Sequence, residues 1–208
     1  PIRGGKPEQP ITYLAAAGEK IVISAADIWK PNWKSVKKDR NALNSRDINV
    51  YKAKLKEDIF EDSRNNYNPF ETELVIGSDI FNVTSVPDYE IGSEMKLTLG
   101  QVIVNGELLQ EVSSLESVYQ NEGTWKYSPK DKHIYVHFSN EAIPQRQKVE
   151  ITTRKQCFAP YRRGLGYITV EGFTMKYSGN QHPYHFWQVL ENKQAGALST
   201  RSGHHWII

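Results

Sequence analysis

Ile11-Thr12-Tyr13-Leu14 and Ile21-Val22-Ile23-Ser24 are two short runs of β-branched, aromatic and aliphatic residues, separated by Ala15-Ala16-Ala17-Gly18-Glu19-Lys20. Residues of the first kind favour extended backbone. Three alanines alone could seed a helix, but Gly18 ends the run at once. The small residues and the glycine therefore read as a tight corner between two strands. How the chain uses this strand–corner–strand unit decides its architecture.

Similar texture returns after Pro144. Val149-Glu150-Ile151-Thr152-Thr153 reads as a strand, Tyr167-Ile168-Thr169-Val170-Glu171-Gly172-Phe173 as another and His205-Trp206-Ile207-Ile208 as a third. The second begins roughly 18 residues after the first, close to the length of one solenoid turn. Short apolar strands, small-residue corners and long loops on one side suggest stacked β coils.

The middle of the chain differs. Lys30, Lys34, Lys37, Lys38 and Arg40 form a basic stretch around Trp33, and Asn49 to Leu55 alternates as a half-exposed strand does. Val102-Ile103-Val104 and Glu107-Leu108 flank Asn105-Gly106, whose two residues supply the positive φ angles of a type I′ hairpin turn. Trp125-Lys126-Tyr127 and His133 to Phe138 flank a longer loop, which predicts a second hairpin. Ser113-Ser114-Leu115-Glu116 fits a capping box and predicts a short helix. The simplest organisation has β-solenoid coils at residues 1–29, an inserted, mostly antiparallel β module at 30–147 and further coils at 148–208. A single β-sandwich using every strand fits the pattern equally well.

The 208 residues carry 26 Lys plus Arg against 24 Asp plus Glu, for a formal net charge of +2. That balance does not make a polyanion the default partner, and no nucleic acid is expected. No run approaches the roughly 20 apolar residues that a membrane-spanning helix needs. The lone cysteine, Cys157, excludes an intrachain disulfide and a cysteine metal cage. The chain opens on Pro1-Ile2-Arg3-Gly4-Gly5, like the inside of a loop, and stops on Trp206-Ile207-Ile208, like the inside of a strand. It is expected to be a stretch of a longer protein.

Several of these segments resemble a known architecture. Gly4 to Ala16 followed by Gly18 to Ser24 is similar to a coil of the right-handed parallel β-helix carbohydrate-active enzymes. Tyr167 to Met175 and Gly196 to Ile208 resemble later coils. The order of Asn49-Val50-Tyr51, Tyr67-Asn68-Pro69-Phe70, Val104-Asn105-Gly106, Ile134-Tyr135-Val136 and Val149-Glu150-Ile151 resembles the β-sandwich insert of the β-helical glycoside hydrolases. These include a β-xylosidase family and a related α-fucosidase and xylanase family. The resemblance implies an all-β fold: a partial right-handed parallel β-helix interrupted by an inserted antiparallel β-sandwich. It implies part of a bacterial, secreted, periplasmic or surface-held glycoside hydrolase. It also implies that the catalytic carboxylates sit on coils later than Ser202 to Ile208. A polysaccharide lyase on the same fold, or a non-catalytic glycan-binding module, stays open.

Sugars offer apolar ring faces and many hydroxyls, so their sites combine flat aromatics with amides, imidazoles and guanidinium groups. On that chemistry the candidate saccharide contacts are Tyr67, Asn68, Phe70, His182, His185, Trp187, Arg201 and His205, with His204 beside them. Glu171 is a candidate carboxylate if Ile168 and Val170 point inward. Glycoside hydrolysis usually needs a pair. Asp58, Glu61 and Asp62 read as a solvated acidic turn. The basic stretch reads first as a solvated face, with phosphate or an acidic polysaccharide as the alternative. His182 and His185 sit in a proline-broken loop, and adjacent strand residues such as His204 and His205 face opposite ways, so neither metal nor cofactor is expected. The partner is expected to be a polysaccharide or oligosaccharide. Cys157 reads as a buried thiol. Asn82-Val83-Thr84 matches a glycosylation sequon, which acts only in a eukaryotic secretory context.

Overall fold

The structure, a computed structural model, describes residues 1–36, 49–60, 68–71, 73–74, 97–139, 142–179 and 196–208. In chain order the strands are β1 (Ile11–Leu14), β2 (Ile21–Ser24), β3 (Ala26–Ile28), β4 (Lys34–Ser35), β5 (Val50–Lys54), β6 (Glu73–Leu74), β7 (Leu97–Thr98) and β8 (Val102–Val104). They continue as β9 (Glu107–Leu108), β10 (Gln110–Glu111), β11 (Thr124–Ser128), β12 (His133–His137), β13 (Val149–Thr152), β14 (Ile168–Glu171), β15 (Phe173–Lys176) and β16 (Trp206–Ile207). A single α-helix, α1 (Leu115–Gln120), and two 3-10 turns accompany them among the described residues. The fold class is all-β, as expected. No helix of the described residues is long and apolar enough to cross a membrane. The chain forms two compact units, one of Pro1–Ala26 with Thr152–Ile208 and one of Asp27–Ile151.

The first unit is held by parallel pairing between strands far apart in sequence. β1 lies beside β14 with Ile11 opposite Ile168 and Leu14 opposite Glu171, and β16 continues the same sheet with Trp206 opposite Ile168. β2 lies beside β15, with Ile21 opposite Phe173. Two consecutive strands thus stack on two consecutive strands. Leu165, Ile168 and Val170 are buried, with Tyr13, Phe158, Phe173, Met175, Leu198 and Trp206 packed on them. The expected continuous strand Tyr167–Phe173 is corrected to two strands broken at Gly172. This glycine has φ of +81°, and a Cβ there would lie 2.9 Å from Ala15 Cβ. The Ala15 N–H donates to the Glu171 carbonyl at 3.0 Å. The two corners nest on each other, and only small residues fit both.

The second unit contains a five-stranded sheet in the order β10-β11-β12-β5-β4 and a four-stranded sheet in the order β3-β13-β8-β9. β10 and β11 run parallel, whereas β11–β12, β12–β5, β5–β4, β13–β8, β8–β9 and β6–β7 run antiparallel. Both expected hairpins form. Asn105 (φ 53°) and Gly106 (φ 87°) make the tight turn, and Ser128 sits opposite His133 in the longer one. The helix starts one residue later than the capping box predicts. Ser114 is the cap, its Oγ accepting from the Ser117 N–H at 3.1 Å, so Glu116 falls in the first turn and not at the box position.

Alternation divides the five-stranded sheet by chemistry. Ala53, Trp125, Tyr127, Ile134 and Val136 join Val102, Val149 and Ile151 of the other sheet in one buried cluster with Trp29, Trp33, Leu55, Phe60 and Phe70. On the opposite face, Val50 and Tyr135 pack with Val118 of α1, whereas Lys52, Lys54 and His133 lie further along.

Glu111 on β10 clamps the end of β7. Its carboxylate accepts from the Thr98 N–H at 2.9 and 3.0 Å and from Thr98 Oγ1 at 3.2 Å. Burial outweighs these bonds and lifts its pKa from 4.5 to about 7. The folded value lies above the unfolded one. The contribution of this group to stability is therefore whole below pH 4.5 and is lost as pH rises through 7. Glu111→Gln should remove about 1–3 kcal/mol of the stability loss over that interval. Urea unfolding at several pH values, followed by tryptophan fluorescence, would refute this assignment if variant and parent lost stability in parallel.

Candidate functional site

Tyr67, His182, His185 and Trp187 lie outside the described residues, as do Glu61, Asp62, Lys37, Lys38, Arg40 and the Asn82 sequon. Of the expected saccharide contacts, Asn68, Phe70, Arg201 and His205 are described.

Asn68 and Phe70 form a turn, with Asn68 Oδ1 accepting from the Phe70 N–H at 3.0 Å. That turn drives Phe70 inward. The ring is 1% exposed and meets Trp125 edge-on at 5.7 Å. A Cβ on Gly100 would come within 2.5 Å of it. The structure thus places Phe70 in the core, with no face open to a ligand.

Arg201 and His205 come together at one corner of the first unit. Arg201 has φ of 48° and His205 φ of 54°; this left-handed backbone turns the chain sharply before β16. Arg201 Nη1 donates to the carbonyls of Pro160 (3.1 Å) and Tyr161 (2.7 Å). Its guanidinium therefore ties down the loop beside it. The His205 ring stacks on Tyr167 with centroids 4.6 Å apart and planes 15° from parallel. His204 Nδ1 lies 2.8 Å from His205 Nδ1, so one ring donates and the other accepts. The His204 ring lies over Gly166, where a Cβ would come within 2.1 Å of it. Below them, Trp206 Nε1 donates to the Leu165 carbonyl at 2.8 Å. Both imidazoles are exposed and Tyr167 is half-buried. Flat rings and two-sided hydrogen-bonding groups thus share one surface, the combination that pyranose recognition uses. Sequence reasoning treated Tyr167 only as a strand residue. Its signal was register: with Ile168 opposite Trp206, the preceding residues Tyr167 and His205 become neighbours.

The remaining candidates are scattered. Glu171 ends β14 on the exposed side, while Ile168 and Val170 are buried. Asp58 is exposed on the 3-10 turn Glu57–Phe60. Cys157 is half-buried; its Sγ donates to the Lys176 carbonyl at 3.3 Å, and burial pushes its pKa up. Among the described residues no three His, Cys, Asp or Glu side chains cluster as metal ligands would.

No protein-family model matches this chain, and no curated protein matches it. Among solved structures, XylC in complex with xylose is similar to it, with a TM-score of 0.66 and 25% identity over 95% of this chain. The chain spans 30% of the length of that structure. A second structure, a glycoside hydrolase, aligns over 88% of this chain and 41% of its own with a TM-score of 0.42 and 11% identity.

Arg201→Gln should loosen the corner without touching its rings. A charge-assisted pair of bonds to two carbonyls is worth about 1.5–3 kcal/mol. Limited proteolysis should then cut near Pro160–Arg163 several times faster than in the parent. Unchanged cutting would remove Arg201 from this structural role.

Proposed function

We propose that this chain is part of a carbohydrate-active protein, most closely a bacterial polysaccharide-degrading glycoside hydrolase exported from the cytoplasm. In this reading the first unit supplies coils of a right-handed parallel β-helix. The second is a β-sandwich-like insert between them. One observation carries the reading: 95% of the chain superposes on XylC in complex with xylose at 25% identity. The parallel stacking of β1 on β14 and of β2 on β15 supports the coil assignment. The pairing of β3 and β13 in one sheet gives the insert entry and exit strands side by side.

The chain's own contribution is binding. Tyr167 and His205 offer stacked rings, and His204 offers hydrogen bonds to hydroxyls. No catalytic carboxylate is assigned to it. Glu171 has the exposure that an acid on a groove wall needs, but hydrolysis also needs a partner carboxylate across the scissile bond.

Calorimetric titration with xylo-oligosaccharides tests the proposal. His205→Asn keeps a residue that tolerates the left-handed backbone while removing the ring. It should weaken binding about two- to tenfold, the range of an aromatic pair worth 0.5–1.5 kcal/mol. No binding of any neutral oligosaccharide by the parent chain would sink the saccharide reading. Normal binding by the variant would move the site elsewhere on the chain.

A further inference from the structure

We infer that the lysine-lined pocket of the second unit is a second site, which binds a carboxylate-bearing oligosaccharide such as a uronic-acid oligomer. The pocket is about 890 Å³ in volume, and among the described residues its lining includes Lys30, Lys34, Lys52, Lys54 and Lys56 against one carboxylate, Asp58. The chain as a whole balances 26 basic residues with 24 acidic ones, so this is local segregation and not the general charge of the protein.

The sheet makes that segregation costly. Lys34 on β4 sits directly opposite Lys52 on β5, and Lys54 is opposite His133 on β12. Two lysines directly opposite across an antiparallel pair destabilise it. The nearby acids relieve only part of the crowding. Asp131 faces Lys52 at 3.9 Å and His133 at 3.3 Å, while Glu57 is engaged with Lys132. Among the described residues Lys30, Lys34, Lys54 and Lys56 form no ion pair. A bound polyanion would remove the repulsion, so part of the charge strain becomes binding free energy.

Size and lining choose the class of anion. The volume falls near the top of the roughly 300–1,000 Å³ typical of ligand pockets, which suits several linked rings better than one inorganic ion. Among the described residues the cations that line the pocket are lysines, point charges on flexible stems that can follow carboxylates spaced along a chain. Ile28, 54% exposed, adds apolar wall, matching the apolar faces of sugar rings. Trp29 is only 8% exposed, so among the described residues no open tryptophan face is offered for stacking nucleobases.

This inference rests on the saccharide reading above but uses other residues, and the two can fail separately. Titration of the full chain with tetragalacturonate, xylotetraose, inorganic phosphate and a single-stranded oligonucleotide tests it. Tetragalacturonate should bind, and binding should weaken as ionic strength rises from about 0.05 to about 0.3 M. The double variant Lys34→Gln/Lys54→Gln should weaken it about fivefold while leaving xylotetraose binding and His205 dependence unchanged. A thermal melt of the variant at low salt, expected at or above the parent value, shows that it is folded. Equal binding of acidic and neutral oligomers, insensitive to the lysines, would overturn the second site and leave the neutral-sugar reading standing. Lysine-dependent binding of phosphate or the oligonucleotide as tight as that of tetragalacturonate would overturn the assignment of an acidic saccharide.

Discussion

The pairing of β1 and β2 with β14 and β15 is the constraint from which the rest follows. A parallel ladder cannot be closed by a hairpin, so the chain between its strands must travel. Here it travels through the whole second unit. The register is fixed by burial. Ile168 is fully buried and Val170 nearly so, and a slip of one residue would exchange them for Thr169 and Glu171. The Ala15–Gly172 contact fixes it again at the corner, where any larger side chain would push the layers apart.

The excursion is workable because it ends where it starts. β3 and β13 are neighbours in one sheet, and the Trp29 N–H donates to the Val149 carbonyl at 2.8 Å. Between those strands the unit has its own core of tryptophans, phenylalanines and aliphatics. With one face of the five-stranded sheet committed to that core, the other is free to vary. It carries apolar residues under α1 and lysines beyond it, so two chemistries occupy one surface without compromising packing.

Local chemistry was legible in the sequence, and chemistry set by distant partners was not. Asn105-Gly106 announces its turn because the two residues alone determine the backbone. The N-cap differed by one position because Ser113 and Ser114 are both competent caps, and the packing of Val118 selects between them. The break at Gly172 depends on Ala15. Phe70 reads as a loop aromatic until Trp125 and Gly100 claim it from elsewhere in the sequence. Tyr167 acquires a partner only through the β14–β16 register, and the lysine row exists only once β4 lies against β5. Arg201 was legible as a notable residue, but its hydrogen bonds serve the loop at Pro160 and Tyr161.

The same long-range ladder imposes an order in time. During synthesis β1 and β2 emerge ahead of the second unit, yet their partners β14 and β15 follow only after that entire unit has been made. At roughly 5–20 residues per second, that delay is on the order of ten seconds or more. Throughout it Leu14 and Val22, both more than half exposed in the structure, lack β14 and β15 as partners. The second unit can collapse around its aromatic core well before then. Strands β1 and β2 are therefore joined to β14 and β15 late, and that delay is a point at which misassembly could begin.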